Sequence, residues 1–364
     1  MGVRQLIERP VRVEKVSEDD EEIRAFVERR KTQIKVVGCG GAGNNTITRL
    51  MQVGIAGAET IAINTDAMDL LYTDSDKKVI IGKELTQGLG AGANPEIGME
   101  SAKENKEEIK HALQGADMVF LTAGLGGGTG TGSIPVVADI AKKMGALTVA
   151  IVTMPFTMEG KQRMINAREG LKNLDSVVDT LIVIPNDKLL EIVPDVSITT
   201  AFKVCDEILV NAVKGIAELV TKPGLVHLDF ADVKAVMSGS GLAMIGMGES
   251  DTDNRAFESV EKALNNPLIT VDVNGAQGAL INVIGGPDIT IREAQQIAES
   301  VSTRLAPEAR IIWGVQVDKS LGDAVRTMLI ITGVKSPQIF GPDKPWEKEK
   351  KKDIEKILGV DFME

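Results

Sequence analysis

A chain of 364 residues, 43% of them hydrophobic, is long enough for about two domains and a large core; with aromatics at only 3%, that core has to come from Ile, Val, Leu, Ala and Met. The net charge of −11 excludes a general nucleic-acid or anionic-membrane binder. Two cysteines, Cys39 and Cys205, and two histidines, His111 and His227, are too scattered for a disulfide framework or a zinc site, which points to a reducing, cytoplasmic setting. No stretch approaches the roughly 18 apolar residues of a membrane span, so direct membrane insertion is not expected.

Residues 1–30 read as a charged extension, with Ser17 to Glu22 capping a helix that runs to Arg30. The core opens on a buried-strand pattern, Gln33 to Val37, followed by Gly38-Cys39-Gly40-Gly41-Ala42-Gly43 and a helical run from Asn45 to Val53. This satisfies G-x-G-x-x-G between strand and helix, and a second strand, Glu59 to Ile63, ends in Asn64-Thr65-Asp66, an acid roughly twenty residues past the glycines. Taken alone, these residues support an NAD-linked Rossmann oxidoreductase. A second small-residue loop, Gly88 to Pro95, contains Ala91, Gly92 and Asn94 and precedes a helix expected from Pro95 to about Leu113. The third is Ala123-Gly124-Leu125-Gly126-Gly127-Gly128-Thr129-Gly130-Thr131-Gly132, between the strand Met118 to Leu121 and a helix expected from Ile134 with Pro135 in its first turn. Three such turns before helices suit a triphosphate better than a dinucleotide, because several backbone N–H groups can then grip several phosphates. No P-loop lysine motif occurs, so the phosphate charge is expected to be met by N–H groups and Mg²⁺.

A strand from Leu147 to Val152 leads to Met154-Pro155-Phe156 and a helix expected near Glu159, which would put Glu159 and Arg163 on one face, either as an exposed ion pair or beside the strand-end crevice. A further strand, Thr180 to Ile184, ends at Pro185-Asn186-Asp187. Strands alternating with helices predict an α/β fold with a doubly wound, mostly parallel sheet and a ligand at the carboxyl ends of its strands. From Ser197 to Val220 runs the longest helical pattern, apolar around most of its circumference and so expected to be buried as a spine. Phe202 and Asp206 lie one turn apart on it; Phe202 is either ordinary core or an aromatic face for a base, and a carboxylate at Asp206 can accept from the N1–H and N2–H₂ edge of guanine. Asp229 and Asp232 follow the spine, either capping the next helix or polarising water, and they are too far from the glycine loops to reach a nucleotide held by their own chain. Residues 240 to about 333 read as a smaller α+β body, and the charged tail after Pro337 ends in a short apolar segment.

The loops Gly38 to Asn45, Asn64 to Asp66, Ala91 to Pro95 and Gly126 to Gly132, together with Asp229-Phe230-Ala231-Asp232, resemble those of the FtsZ group of tubulin-like cell-division GTPases, over about residues 31–333. The resemblance implies a GTPase that polymerises head to tail into filaments at the mid-cell division site. It implies that Asp229 and Asp232 of one subunit complete hydrolysis on the neighbour's GTP. Gly40, Gly41, Gly43, Asn44, Asn45, Asn64, Asp66, Ala91, Gly92, Asn94, Gly126, Gly127, Gly128, Thr129, Gly130 and Thr131 would hold the nucleotide, with Mg²⁺ carried by its phosphates. By the same likeness Glu159 and Arg163 contact ribose or phosphate, Asn186 and Asp206 read guanine, and Phe202 stacks on the base. His227 stands where many members of the group have Asn, and the tail lacks the long linker and end motif of bacterial members, although membrane-tethering division proteins could dock there. The expected division is 1–30 extension, 31–196 GTP-binding domain, 197–222 central helix, 223–335 C-terminal α+β domain and 336–364 tail. A tubulin-like filament serving DNA segregation remains an alternative.

Overall fold

The structure, a computed structural model, describes residues 32–188, 197–221, 229–265, 273 and 275–334. The N-terminal helix expected up to Arg30, His227 and the tail from 336 lie outside the described residues. The described residues from Gln33 onward form one compact unit built on a ten-stranded sheet in the order β3-β2-β1-β4-β5-β6-β7-β10-β8-β9. The strands are β1 Ile34–Cys39, β2 Ala58–Asn64, β3 Lys77–Ile80, β4 Met118–Gly124, β5 Leu147–Met154, β6 Thr180–Pro185, β7 Gly241–Ser250, β8 Gly278–Gly285, β9 Arg310–Val317 and β10 Val325–Thr332. All neighbours pair in parallel except β10, which runs antiparallel to both β7 and β8. Strands β1, β4 and β5 are buried almost throughout, which is why they read as unbroken apolar runs.

The helices are α1 Gly40–Val53, α2 Ala67–Tyr72, α3 Lys83–Thr86, α4 Pro95–Glu104, α5 Lys106–Leu113, α6 Thr129–Lys143, α7 Lys161–Asp175, α8 Ile198–Thr221, α9 Phe230–Met237, α10 Arg255–Leu264 and α11 Ile291–Ser302. Four boundaries differ from expectation. The first and third glycine turns are themselves the first turns of α1 and α6, so Pro135 lies inside α6 rather than in its first turn. Small residues are required there by packing: a Cβ on Gly132 would sit 2.0 Å from the Pro95 carbonyl oxygen, and one on Gly98 would sit 2.4 Å from that of Gly128, so α4 and α6 approach through bare backbone. The helix from Pro95 stops at Asn105, whose Oδ1 accepts the Gly82 N–H and whose Nδ2 donates to Glu108, and α5 starts afresh. Glu159 ends a 3₁₀ turn, Thr157–Glu159, and Gly160 at φ 105° separates it from α7.

The spine helix α8 is about 36 Å long at ~1.5 Å per residue. It buries Leu209, Val213 and Ile216, closes on β10 where Gly215 faces Met328, and ion-pairs to α1 through Glu207 and Arg49. It thereby spans the sheet from one edge to the other. Near its start, Phe202 and Asp206 face the carboxyl ends of the parallel strands, whereas at its far end Thr221 packs on Gly57 and donates to the Ala56 carbonyl, just before β2 begins.

Candidate functional site

At the carboxyl edge of β1, β4, β5 and β6 lies a cavity of about 290 Å³. Its floor is built from the first turns of α1 and α6, which meet closely: Gly40 has φ +71°, and a Cβ there would come within 2.7 Å of the Gly130 nitrogen. These two helices share two further properties. Neither Cys39 nor Gly128 caps its helix with a side chain, and neither first turn carries an acid. The start of α7 at Lys161, beside Glu159 and Arg163, is likewise without a side-chain cap or a first-turn acid, whereas Asp66, Asn94, Asp229 and Thr290 cap α2, α4, α9 and α11, and each of those helices has an acidic residue in its first turn. The helices that end at the cavity thus keep their N–H donors and positive dipole ends for an anion supplied from outside the chain.

The lining brings together Gly40, Gly41, Gly127, Gly128, Thr129, Gly130, Glu159, Arg163, Asn186, Phe202 and Asp206. Arg163 reaches back to Glu159 at 2.5 Å, while the other Glu159 oxygen accepts the Phe156 N–H at 2.8 Å. Phe202 is 43% exposed and held edge-on by Phe156, with ring centroids 5.4 Å apart. An aromatic face open to a cavity but fixed from behind is suited to stacking, so the ordinary-core reading of Phe202 does not hold. Asp206 is half-buried, and burial, with Glu207 adjacent, pushes its carboxyl up to about 6.

The remaining expected site residues lie outside the lining and form its frame. Gly43 packs α1 on β4, since a Cβ would meet the Thr122 oxygen at 2.6 Å. Asn44 and Asn64 are buried and both donate to Asp69 Oδ2, at 3.4 and 2.6 Å; Asn45 is exposed. Asp66 accepts from the Met68 and Asp69 N–H groups as the cap of α2. That carboxylate is the acid a dinucleotide site would need for its ribose, and here it is engaged by the chain itself. Ala91 and Asn94 stack on Gly128, where a Cβ would meet them at 2.9 and 2.8 Å, and the intervening Gly92 is exposed in the left-handed region at φ +55°. Asn166 ties this loop to the third one by donating to the carbonyls of Ala93 and Gly126, and Thr131 Oγ1 accepts the Gly126 N–H at 2.9 Å.

Several lining residues escaped the sequence reading: Cys39, Thr153, Pro155, Cys205 and Leu209. Thr153 and Pro155 follow from the rule that strand ends border the site, but nothing local marks a buried cysteine as pocket wall. Burial raises both thiols, to about 12 in each case, so they remain protonated.

Asp229 and Asp232 are not brought to the cavity. Asp229 caps α9 by accepting the Asp232 N–H at 2.8 Å. The end of that helix receives a hydrogen bond from Thr180, the first residue of β6, whose other end leads to Asn186 in the cavity. The acid pair therefore belongs to the amino edge of the sheet, opposite the cavity.

Comparison with known proteins adds independent findings. Residues 33–194 match the model of the Tubulin/FtsZ family GTPase domain, and residues 241–335 match the C-terminal domain of the FtsZ family. The chain is 61% identical over 321 residues to Cell division protein FtsZ 1 of Methanocaldococcus jannaschii, covering 88% of each chain. It is 56% identical over 333 residues to Cell division protein FtsZ of Methanothermobacter thermautotrophicus, covering 92% of this chain and 87% of that one. A solved FtsZ dimer of M. jannaschii superposes with a TM-score of 0.82 at 60% identity, covering 88% of this chain and 93% of that chain. A protofilament of CetZ2 from Haloferax volcanii, at 20% identity and a TM-score of 0.73, shares the fold.

Proposed function

The chain belongs to the FtsZ family of tubulin-like GTPases, and from that premise we propose that it binds GTP in the strand-end cavity and hydrolyses it only when subunits stack head to tail into filaments at the division site. The observation that carries this reading is the cluster of uncapped, acid-free helix N-termini on one edge of the sheet, those of α1 and α6 forming the cavity floor, with the Asp229 and Asp232 pair on the opposite edge. Within one subunit about 20 Å of strand separates the two edges, at ~3.3 Å per residue over β6. Stacking brings the acid-bearing edge of one subunit over the phosphate-bearing edge of the next, a heterologous contact that repeats into a filament when the rotation between subunits does not close a ring.

In that arrangement the N–H groups of Gly40, Gly41, Gly128, Thr129 and Gly130 grip the phosphates, and Arg163, oriented by Glu159, adds one charge-assisted contact. Asn186 and Asp206 meet the guanine edge and Phe202 its face. Mg²⁺ is carried by the phosphates, neutralising charge that the N–H donors cannot. Asp229 and Asp232 of the neighbour orient and polarise the attacking water. Asp229 already holds the Asp232 N–H, which fixes one of its oxygens, and the other has no hydrogen-bond partner among the described residues. We assign 31–196 to nucleotide binding, 197–222 to the central helix and 223–335 to the C-terminal domain, with membrane-tethering proteins docking on 336–364. The names of the relatives favour division over DNA segregation.

The test is turnover per subunit against protein concentration for the wild type, Asp229→Asn and an equimolar mixture. Asparagine keeps the helix cap but not the charge. Turnover in the wild type should rise steeply above a threshold, Asp229→Asn should bind GTP without turnover, and the mixture should lose more activity than dilution accounts for. Turnover independent of concentration would sink the shared site.

A further inference from the structure

Cys205 lies on α8 beside Asp206, buried in a small apolar cluster with Phe156 and Ala201 that is separate from the main core. This cluster backs the end of the cavity where Phe202 and Asn186 stand. The Cys205 thiol donates to Asn186 Oδ1 across 3.4 Å. Asn186 is only 5% exposed, and its Nδ2 has no hydrogen-bond partner among the described residues. A primary amide has two faces of opposite character, and turning it over exchanges a donor for an acceptor at the same place. On this wall the acceptor is occupied by a thiol from behind, so the donor is the face left for a ligand.

We infer that Cys205 is a positioning residue for base selection: its thiol holds the Asn186 amide with Nδ2 toward the bound base, where it donates to the 6-oxo group of guanine and opposes the 6-amino group of adenine. The inference rests on the reading that Asn186 and Asp206 meet the base edge. Its physical basis is the cost of the alternative. Without the thiol, Oδ1 is a buried acceptor with no donor, and turning the amide exchanges it for a buried Nδ2 with no acceptor, so the wall no longer selects one orientation and the one with Oδ1 toward the cavity becomes populated. In that orientation Oδ1 accepts from the adenine amino group, so discrimination falls from both sides: guanine binds less well and adenine better. A thiol held protonated by burial is a donor throughout the working pH range.

The experiment is a competition titration of GTP and ATP against a fluorescent GDP analogue, with Cys205→Ala, Cys205→Ser, Asn186→Ala, Asp206→Asn and the double variant Cys205→Ala/Asn186→Ala. Cys205→Ala should lower the GTP-over-ATP affinity ratio by roughly three- to tenfold, the range set by one lost hydrogen bond. Cys205→Ser, which keeps a donor, should stay within about twofold of the wild-type ratio. Adding Cys205→Ala to Asn186→Ala should change the ratio no further, because the cysteine acts through the amide. If Asn186→Ala and Asp206→Asn leave the ratio unchanged, the base-edge reading itself fails. If they change it and Cys205→Ala does not, or if Cys205→Ala weakens both nucleotides equally and does so again in the Asn186→Ala background, the cysteine is only packing and the inference is overturned.

Discussion

Replacing Gly40 by alanine tests whether the floor of the cavity is made by close backbone approach. Gly40 sits at φ +71°, and a Cβ there would lie 2.7 Å from the Gly130 nitrogen, a backbone atom in the other helix start. The left-handed conformation costs an L-residue about 1–2 kcal/mol, and overpacking against atoms that cannot rotate away adds about 1–3 kcal/mol. The sum, roughly 2–5 kcal/mol, is a large share of the ~5–15 kcal/mol that holds a domain together. The clash is relieved by moving the α6 start away by about 0.7 Å, the gap between 2.7 Å and the 3.4 Å at which ordinary Cβ contact begins, and this displaces a phosphate donor. Gly115→Ala is the control: Gly115 has φ +79° in a turn closed by the Ala116 N–H on Leu113, with nothing within 4 Å of its Cβ position, so it carries the conformational cost alone. Chemical denaturation should show Gly40→Ala losing at least 1 kcal/mol more than Gly115→Ala. Titration with a fluorescent GDP analogue should show weakened binding only in Gly40→Ala. Equal losses of stability with unchanged affinity in both would refute the close-approach argument.

Three further outcomes follow from the geometry. Because burial raises Asp206 from 3.8 to about 6, the folded chain holds a proton there that the unfolded chain has lost between those values; unligated stability should therefore fall as pH rises through this window. Nucleotide affinity should run the other way if, as proposed, the guanine edge donates to the carboxylate form; GTP binding should then weaken as pH drops below about 6, and Asp206→Asn should flatten that dependence. Asp229→Ala should lower stability by about 1 kcal/mol through loss of the α9 cap while Asp229→Asn costs a few tenths, yet both should abolish turnover, as read by denaturation beside a phosphate-release assay. Arg163→Ala, which breaks an exposed ion pair, should change stability by less than about 0.5 kcal/mol but lower GTP affinity roughly tenfold, since the guanidinium lines the cavity.

The parallel half of the fold was legible because strands covered on both faces read as continuous apolar runs, and Val36-Val37, Phe120-Leu121 and Val149 to Val152 leave little choice. The cavity was legible because its glycines recur just after those runs. What escaped the sequence depended on partners distant in the chain. Gly-Thr-Gly-Thr-Gly has poor helix propensity, and it begins α6 only because α4 packs against its bare backbone. The edge strand β3 begins with two lysines and has no apolar pattern to announce it; its place comes from pairing with β2. The continuity of the sheet through β7 rests on the pairing of Thr180 with Gly241, a long-range register that no local window contains. Likewise, Asn44, Asn64 and Asp66 carry the residue types of a nucleotide loop and also hydrogen-bond within it, a bracing that spacing alone does not announce.

The charge of the cavity gives the last prediction. Its lining contains Glu159, Arg163 and Asp206 as charged groups, so with Asp206 ionised the side chains sum to −1, and Arg163 is already paired with Glu159. A triphosphate cannot be held there by Coulomb attraction to lysines, as in a P-loop site. The attraction has to come from oriented N–H dipoles at two helix starts and from the cation the nucleotide carries. Dipoles in contact with a phosphate are screened by salt much less than exposed charges a Debye length apart. Without Mg²⁺, GDP affinity should therefore change by less than about threefold between 0.05 and 0.5 M monovalent salt. GTP, with one more phosphate and the same donors, should depend more on Mg²⁺ than GDP does. A steep salt dependence for GDP, or equal Mg²⁺ dependence for the two nucleotides, would mean that side-chain charge from outside the described lining holds the phosphates, and the argument from uncapped helix ends would fail.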